Sequence, residues 1–387
     1  MTLRTVDSFT ANGREQTPVW NVDVSVVSAL AQRQHQLEGW AHAQLPLLGL
    51  GPLTGGLVAV SGDASFRRYF RARSAAAPVI LVDAPPEREN SQPFLDVAAR
   101  LAAAGVRVPR VLASDLDAGW LCLEDFGDAL LWPALDAARQ AGDLAAALQL
   151  YQRCFGELLL IQQAGNLEEL PAYDAGLLRR ELQLFPQWCC GGLLGLTLTA
   201  QEQALIEATF GHLTARALQQ PRVLVHRDYH SRNLMLLAEP GRAIGVIDFQ
   251  DAVAGPATYD LVSLLKDCYI AWPAATVRQW ALAYAAEARR AGIPLAADDE
   301  EFLHDFALMG AQRHLKVLGI FCRLWLRDGK PGYLKDLLLT FRYTLEALAP
   351  YAEHAAFVDF LQRRIAPALP PAIAAAESIA KQRGQLA

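Results

Sequence analysis

The 387-residue chain sets 35 Lys and Arg against 41 Asp and Glu, a formal charge of −6, with 52% apolar and 20% charged residues. That length asks for one large two-lobed domain or two domains, and the balance is that of a soluble globular protein, which excludes disorder. An acidic chain with no basic block offers nucleic acid no electrostatic footing.

Residues 1–22 read as a polar tail, and "MTLRTVDSFTANGREQTPVW" lacks the charged-then-apolar layout of a signal peptide. From Val24 to Leu45 apolar residues recur near helical spacing, which predicts an amphipathic helix ended by Pro46. The uncharged run "LPLLGLGPLTGGLVAV" is broken by Pro46, Pro52 and several Gly and makes no membrane span. A cytoplasmic monomer with small-molecule partners is the expectation. Cys122, Cys154, Cys189, Cys190, Cys268 and Cys322 form no CxxC pair and read as free buried thiols.

The runs "GLVAV", "RYFRAR" and "PVILVDA" are β-prone, with "SGDASFR" between the first two. A helix, "PFLDVAARLAAAG", closes at Gly105. "RVLASDLDAGWLCLEDFGD" reads as two strands about a turn at Asp117-Ala118-Gly119. From about Ala129 helices dominate, apart from "RVLVH" and "AIGVIDF". The plan is therefore α+β and bilobal. A small antiparallel β lobe (23–124) meets a larger helical lobe (125–387), with a ligand cleft between them.

The sharpest motif is "HRDYHSRN", His226 to Asn233, leaving an apolar strand. Phosphoryl transfer needs little covalent help: metal ions on the phosphates, a carboxylate near the acceptor hydroxyl, and in-line positioning. The H-R-D-x-x-x-x-N spacing supplies a base, Asp228, and a metal ligand, Asn233. One neutral Asn cannot hold Mg²⁺ against a triphosphate, and fifteen positions on, "GVIDFQDA" supplies Asp248 at a strand end. A strand, a turn and a second strand fit between the two ligands. The literal triplet Asp125-Phe126-Gly127 lies about a hundred positions too early and reads as hinge. There the backbone of Leu123 and Glu124, next to Phe126, would meet the adenine of ATP.

These residues, with "IDFQDAVAGPATYDLVSLLKD", resemble the aminoglycoside phosphotransferase and choline kinase-like superfamily, relatives of protein kinases, over roughly residues 25–345. The resemblance implies a protein kinase-like fold with the active site in the cleft, Asp228 as base, Asn233 and Asp248 on Mg²⁺, and Asp260 as buttress of the catalytic loop. Within it, "GDASFRRYFR", "DAPPE", "YDLVSLLKDCYIAWP" and "QRHLKVLGIF" are similar to the bacterial anomeric sugar kinases of cell-wall recycling. Those phosphorylate C1 of N-acetylmuramate and N-acetylglucosamine with ATP. Choline, homoserine or an aminoglycoside is the alternative acceptor, and a nucleotide-binding pseudokinase the non-catalytic alternative.

The pattern departs at the strand Lys and helix Glu of the kinase plan. "PVILVDAPP" offers Asp83, and "PFLDVAARLAAAG" has no Glu. Arg67, Arg68 or Arg71 is expected to supply the missing charge. The loop "VSGDASF", with Ser61, Asp63, Ser65 and Phe66, suits a phosphate cover and equally an ordinary hairpin turn. On the predicted helix "MGAQRHLKVLGIFCRLWLRDGK", Arg313, Lys316, Arg323 and Arg327 share an arc of roughly 80°. They line a cavity for an anionic acceptor or form a solvated face. Arg313 is the expected partner of a lactyl carboxylate, with Tyr229, His230, Asp251 and His314 as further substrate contacts. Tyr269 and Trp272 either stack on the sugar or belong to the core.

Overall fold

The structure, a computed structural model, describes residues 24–60, 66–238 and 244–386. The expected polar tail and the loop residues Ser61, Asp63 and Ser65 lie outside the described residues.

Five short strands form one antiparallel sheet: β1 (Val58–Val60), β2 (Arg68–Arg73), β3 (Pro78–Asp83), β4 (Val111–Asp115) and β5 (Trp120–Glu124), in the order β1-β2-β3-β5-β4. Side chains alternate across a strand, so the sheet has two apolar faces. Phe70, Ala72, Val79, Leu81 and Cys122 pack on Leu37, Ala41 and Leu45 of α1 (Val24–Leu47). Val82, Leu121 and Leu123 face the other way, into the core shared with α2 (Gln92–Ala103) and the helical lobe. Helix α1 runs two residues past Leu45, with Pro46 inside its last turn. A proline there removes one helical bond where the helix is ending anyway, and Gly49 at φ +73° then turns the chain. Gly105, at φ +86°, closes α2 as expected.

The helical lobe begins with α3 (Leu131–Ala141), α4 (Leu144–Gln163) and α5 (Ala175–Leu182), followed by a π-helical segment (Phe185–Leu193) and α6 (Ala200–Gln219). Strands β6 (Arg222–Val225) and β9 (Val253–Pro256) then pair around the hairpin of β7 (Leu234–Leu236) and β8 (Ile244–Val246). Beyond them lie α7 (Tyr259–Leu265), α8 (Ala274–Arg290), α9 (Asp299–Leu326), α10 (Leu337–Leu348), α11 (Ala355–Phe360) and α12 (Leu369–Gln382). Helix α9 is the axis of this lobe. Asp298 caps it by accepting from the N–H groups of Glu300 and Glu301. Gly319 lets it touch the chain at Leu184, where a β-carbon would stand 2.3 Å from the carbonyl carbon. All six cysteines are free and buried, and no described helix is long and apolar enough to cross a membrane.

Asp83 lies fully buried on the α1 face of the sheet, between two guanidinium groups. Arg33 donates to its Oδ1 from Nε at 3.0 Å and from Nη2, and Arg68 donates to Oδ2 in the same two-pronged way. Each guanidinium sets two charge-assisted N–H donors on one carboxylate oxygen, and together they rivet α1 to β2 and β3. Removing the carboxylate strands two cations against each other. Asp83→Ala should lower the unfolding free energy by about 3 kcal/mol in chemical denaturation; an unchanged value would show the rivet to be idle.

Candidate active site

The loop after β6 is held from below. Asp260, buried in the first turn of α7, accepts the N–H of His226 at 2.7 Å and of Arg227 at 3.0 Å. His226 is fully buried, with Nε2 3.0 Å from the Ile247 carbonyl, and burial holds it down at about 4. Arg227 stands at φ +76° and Asp248 at φ +65°. Left-handed backbone costs a residue other than Gly about 1–3 kcal/mol, and it persists only where surrounding contacts over-determine it. Here they do. The Arg227 guanidinium donates to Glu181 Oε1 at 2.6 Å, while Asp248 is tied from both sides, as follows.

Asn233 Nδ2 donates to the Asp228 carbonyl at 3.1 Å and to Asp248 Oδ2 at 3.0 Å. The β7–β8 hairpin brings these side chains together, and the Asn amide oxygen is left on the side away from both bonds. Gln250 Nε2 donates to Asp248 Oδ1 at 2.8 Å, and its buried Oε1 has no hydrogen-bond partner. One carboxylate and two side-chain amides offer hard oxygen donors of the kind Mg²⁺ takes once Asn233 and Gln250 turn their oxygens, in place of their N–H groups, toward Asp248. The set fits a divalent cation. Gln250 was not singled out from the sequence, where only its closeness to Asp248 could have suggested it.

Asp228 keeps 41% of its side chain exposed, while Arg313, 3.9 Å away, is 4% exposed. Burial alone would raise the Asp228 carboxyl, but Lys316 and Arg313 pull it down to about 2. Both cations come from α9. Arg313 Nη1 donates to the Arg227 carbonyl at 3.0 Å and to Tyr259 at 3.3 Å. Lys316 pairs with Glu181 at 3.0 Å and donates to Tyr259 at 3.1 Å. The basic arc therefore divides: Arg313 and Lys316 support the loop, Arg323 is half-buried, and Arg327 pairs with Asp328 in the open. The two-bond grip expected of Arg313 is closed to Nη1, which is already engaged. Glu181 was missed because nothing near it in sequence marks it.

Of the three candidate arginines, period-two alternation sends Arg68 to the α1 face, where Asp83 holds it, so its expected place on the nucleotide is corrected. Arg67 pairs with Glu89 at 3.4 Å. Arg71 is on the cleft face and donates to Asp125 and Asp128. The hinge encloses a cavity of about 400 Å³, lined by Arg107, Glu124, Phe126, Gly127 and Leu237 among others. Arg107 lies 4.6 Å over the Phe126 ring and pairs with Glu124. Gly245 leaves room for that ring, which a β-carbon would meet at 2.6 Å. Leu123 is buried between β3 and β4, while Glu124, whose N–H donates to the Arg110 carbonyl, lines this cavity. Phe66 is exposed beneath Arg88, with its N–H on Glu89.

Two expected substrate contacts are core residues instead. Tyr229 is fully buried and donates to the Cys154 carbonyl at 2.7 Å. His314, a helical step from Arg313, stacks on Tyr343 with Nε2 2.9 Å from the Lys266 carbonyl, and burial holds it down at about 3. The rotation of about 100° per residue carries it off the cleft face. His230 does remain beside Asp228: its ring meets Tyr269 edge-on and its buried Nδ1 has no partner. Asp251 is exposed, 3.9 Å from Arg227. Trp272 is core, bonded to Tyr151, whereas Tyr269 lies under Arg232 at 3.5 Å.

The family model described as "Phosphotransferase enzyme family" matches residues 56–295. This chain belongs to the phosphotransferase enzyme family. Among curated relatives of this phosphotransferase, the N-acetylmuramate/N-acetylglucosamine kinase of Pseudomonas aeruginosa is 44% identical over 85% of the chain and 96% of its own length. The kinase of the same name from Neisseria meningitidis is 40% identical over 83% and 93%. Solved structures share the fold at low identity. Choline kinase LicA from Streptococcus pneumoniae has TM-score 0.56 and 12% identity over 82% of this chain and all of its own. Aminoglycoside phosphotransferase APH(4)-Ia has 0.51 and 16% over 80% and 98%.

Asp260→Ala removes the acceptor of two backbone N–H groups and frees Arg227 from its left-handed turn; kcat should fall about a hundredfold, with little change in KM, by steady-state assay. Arg71→Ala should raise the KM for ATP and Arg68→Ala should not. Equal effects of the two substitutions would contradict their placement on opposite faces.

Proposed function

We propose that this phosphotransferase is an ATP-dependent kinase for the anomeric C1 hydroxyl of N-acetylmuramate and N-acetylglucosamine, giving the sugar 1-phosphates used in cell-wall recycling. The supporting observation is that Asn233 ties the Asp248 carboxylate to the backbone of Asp228, in a chain 40–44% identical to relatives bearing that substrate name. In this reading the nucleobase enters the hinge cavity beside Phe126. Asn233, Asp248 and the orphaned oxygen of Gln250 hold Mg²⁺, which when bound neutralises phosphate charge.

Asp228 takes the proton of the C1 hydroxyl as that oxygen attacks the γ-phosphorus. The bond between the γ-phosphorus and its bridging oxygen breaks, and ADP leaves with the electron pair. An anomeric hydroxyl is more acidic than an ordinary alcohol, so a carboxylate as weakly basic as Asp228 suffices. Arg313 and Lys316 keep that carboxylate ionised. His230, with its unpartnered Nδ1, and Asp251 at the rim are the proposed sugar contacts.

Incubation with ATP, Mg²⁺ and each sugar should yield ADP and a phosphorus NMR signal coupled to the C1 proton. Turnover confined to choline, homoserine or an aminoglycoside would overturn the acceptor. Asp228→Asn should reduce kcat by about 10³-fold with nucleotide binding retained. A base at about 2 is lost only as pH falls through that value, so kcat/KM should show no acid limb from Asp228 near neutrality. In Lys316→Met the limb should move to higher pH, because the largest of the downward pulls is gone.

A further inference from the structure

Apart from the cleft, the helical lobe gathers a second set of donor atoms. His212 on α6 and Glu353 and His354 in one 3₁₀ turn (Ala352–His354) each bring a ligand atom to within 4.8 Å of the others. His304 on α9 stands beside them, its Nε2 3.8 Å from Glu353 Oε1. The rings of His212 and His354 lie against each other, centroids 4.8 Å apart. None of these residues has a part in the chemistry described above.

The polar atoms in this cluster do not satisfy one another. His354 is only 2% exposed, and its Nε2 has no hydrogen-bond partner; the buried Nε2 of His304 also has none. Leaving a buried nitrogen unpaired costs about 1–3 kcal/mol, and three imidazoles side by side would repel if protonated. At 3.8 Å, His304 and Glu353 are too far apart for a hydrogen bond. They are close to the span of two ligands on one small ion, since donors about 2.1 Å from a tetrahedral centre stand about 3.4 Å apart. Burial, with His212 next, holds His354 below the ordinary imidazole value, and burial with Arg216 does the same for His304. The neutral ring is the form that ligates.

We propose that His212, Glu353 and His354 form a transition-metal site of the Zn²⁺ class that ties α6 to the turn before α11, with His304 of α9 set against Glu353 at its edge. Imidazole nitrogens with one carboxylate suit Zn²⁺ and its neighbours, whereas Mg²⁺ and Ca²⁺ call for oxygen alone. The ion fills the orphaned positions and binds only the folded chain, so it stabilises the helical lobe by mass action. This site is independent of phosphoryl transfer.

The test uses the full chain without affinity histidines, stripped by chelator, with Mg²⁺ in excess to occupy the cleft. Titration with Zn²⁺ should show one saturable site and a rise in melting temperature, and Co²⁺ should give the intense visible bands of a tetrahedral ion. His212→Gln, at a half-buried position, and Glu353→Gln, at an exposed one, should each weaken Zn²⁺ at least about tenfold while the metal-free protein melts as before. Absence of saturable binding, or binding that both variants retain in full, overturns the site. His354→Gln adds a third reading, and should it not fold, the other two decide.

Discussion

Arg227 and Asp248, both other than glycine, are held in left-handed backbone at the two ends of the proposed site, and the rest of that site depends on what holds them there. Asp260 grips the backbone of the first from α7, and Glu181 grips its side chain from α5. Asn233 and Gln250 grip the second. Without those contacts the turns would relax to ordinary backbone, and the Asp228 and Asp248 side chains next to them would shift with it. The strain is small beside the stability of a domain this size, yet it sits where a displacement of one ångström matters most.

The cations on α9 perform two tasks in one network. Lys316 neutralises the buried Glu181 and so makes its grip on Arg227 tolerable in a low-dielectric interior. Together with Arg313 it keeps the Asp228 carboxylate charged. In the proposed reaction a base so held is weak, which suits acceptor hydroxyls that give up a proton easily. Acceptor chemistry is thus connected to the packing of a helix whose other faces are core. The shared fold does not decide this point: choline kinase and aminoglycoside phosphotransferase structures superpose at 12–17% identity, and fold alone does not choose an acceptor.

The sheet shows the same economy of faces. Where the kinase plan sets a strand lysine, this chain has Asp83 on the opposite face, closed between Arg33 and Arg68. Arg71, a single odd step further along β2, falls on the cleft side and reaches the hinge acids. Two arginines three residues apart therefore serve different halves of the molecule. One rivets a helix to the sheet, and the other fastens the sheet to the hinge.

Local sequence determined a good deal. Strand and helix positions, the glycine stops and the spacing of Asp228, Asn233 and Asp248 were legible because each rests on periodicity or on spacing within one loop and hairpin. Tertiary structure alone decided that Tyr229 and His314 are core, that Arg68 faces α1, and that Glu181, Gln250 and Lys316 belong to the site. Those outcomes depend on which face of an element meets which neighbour and, for Glu181, on Arg227 and Lys316, far away in the chain. No local pattern encodes such pairs, because a charged side chain carries the same signature in sequence whether it ends in water or against a buried partner.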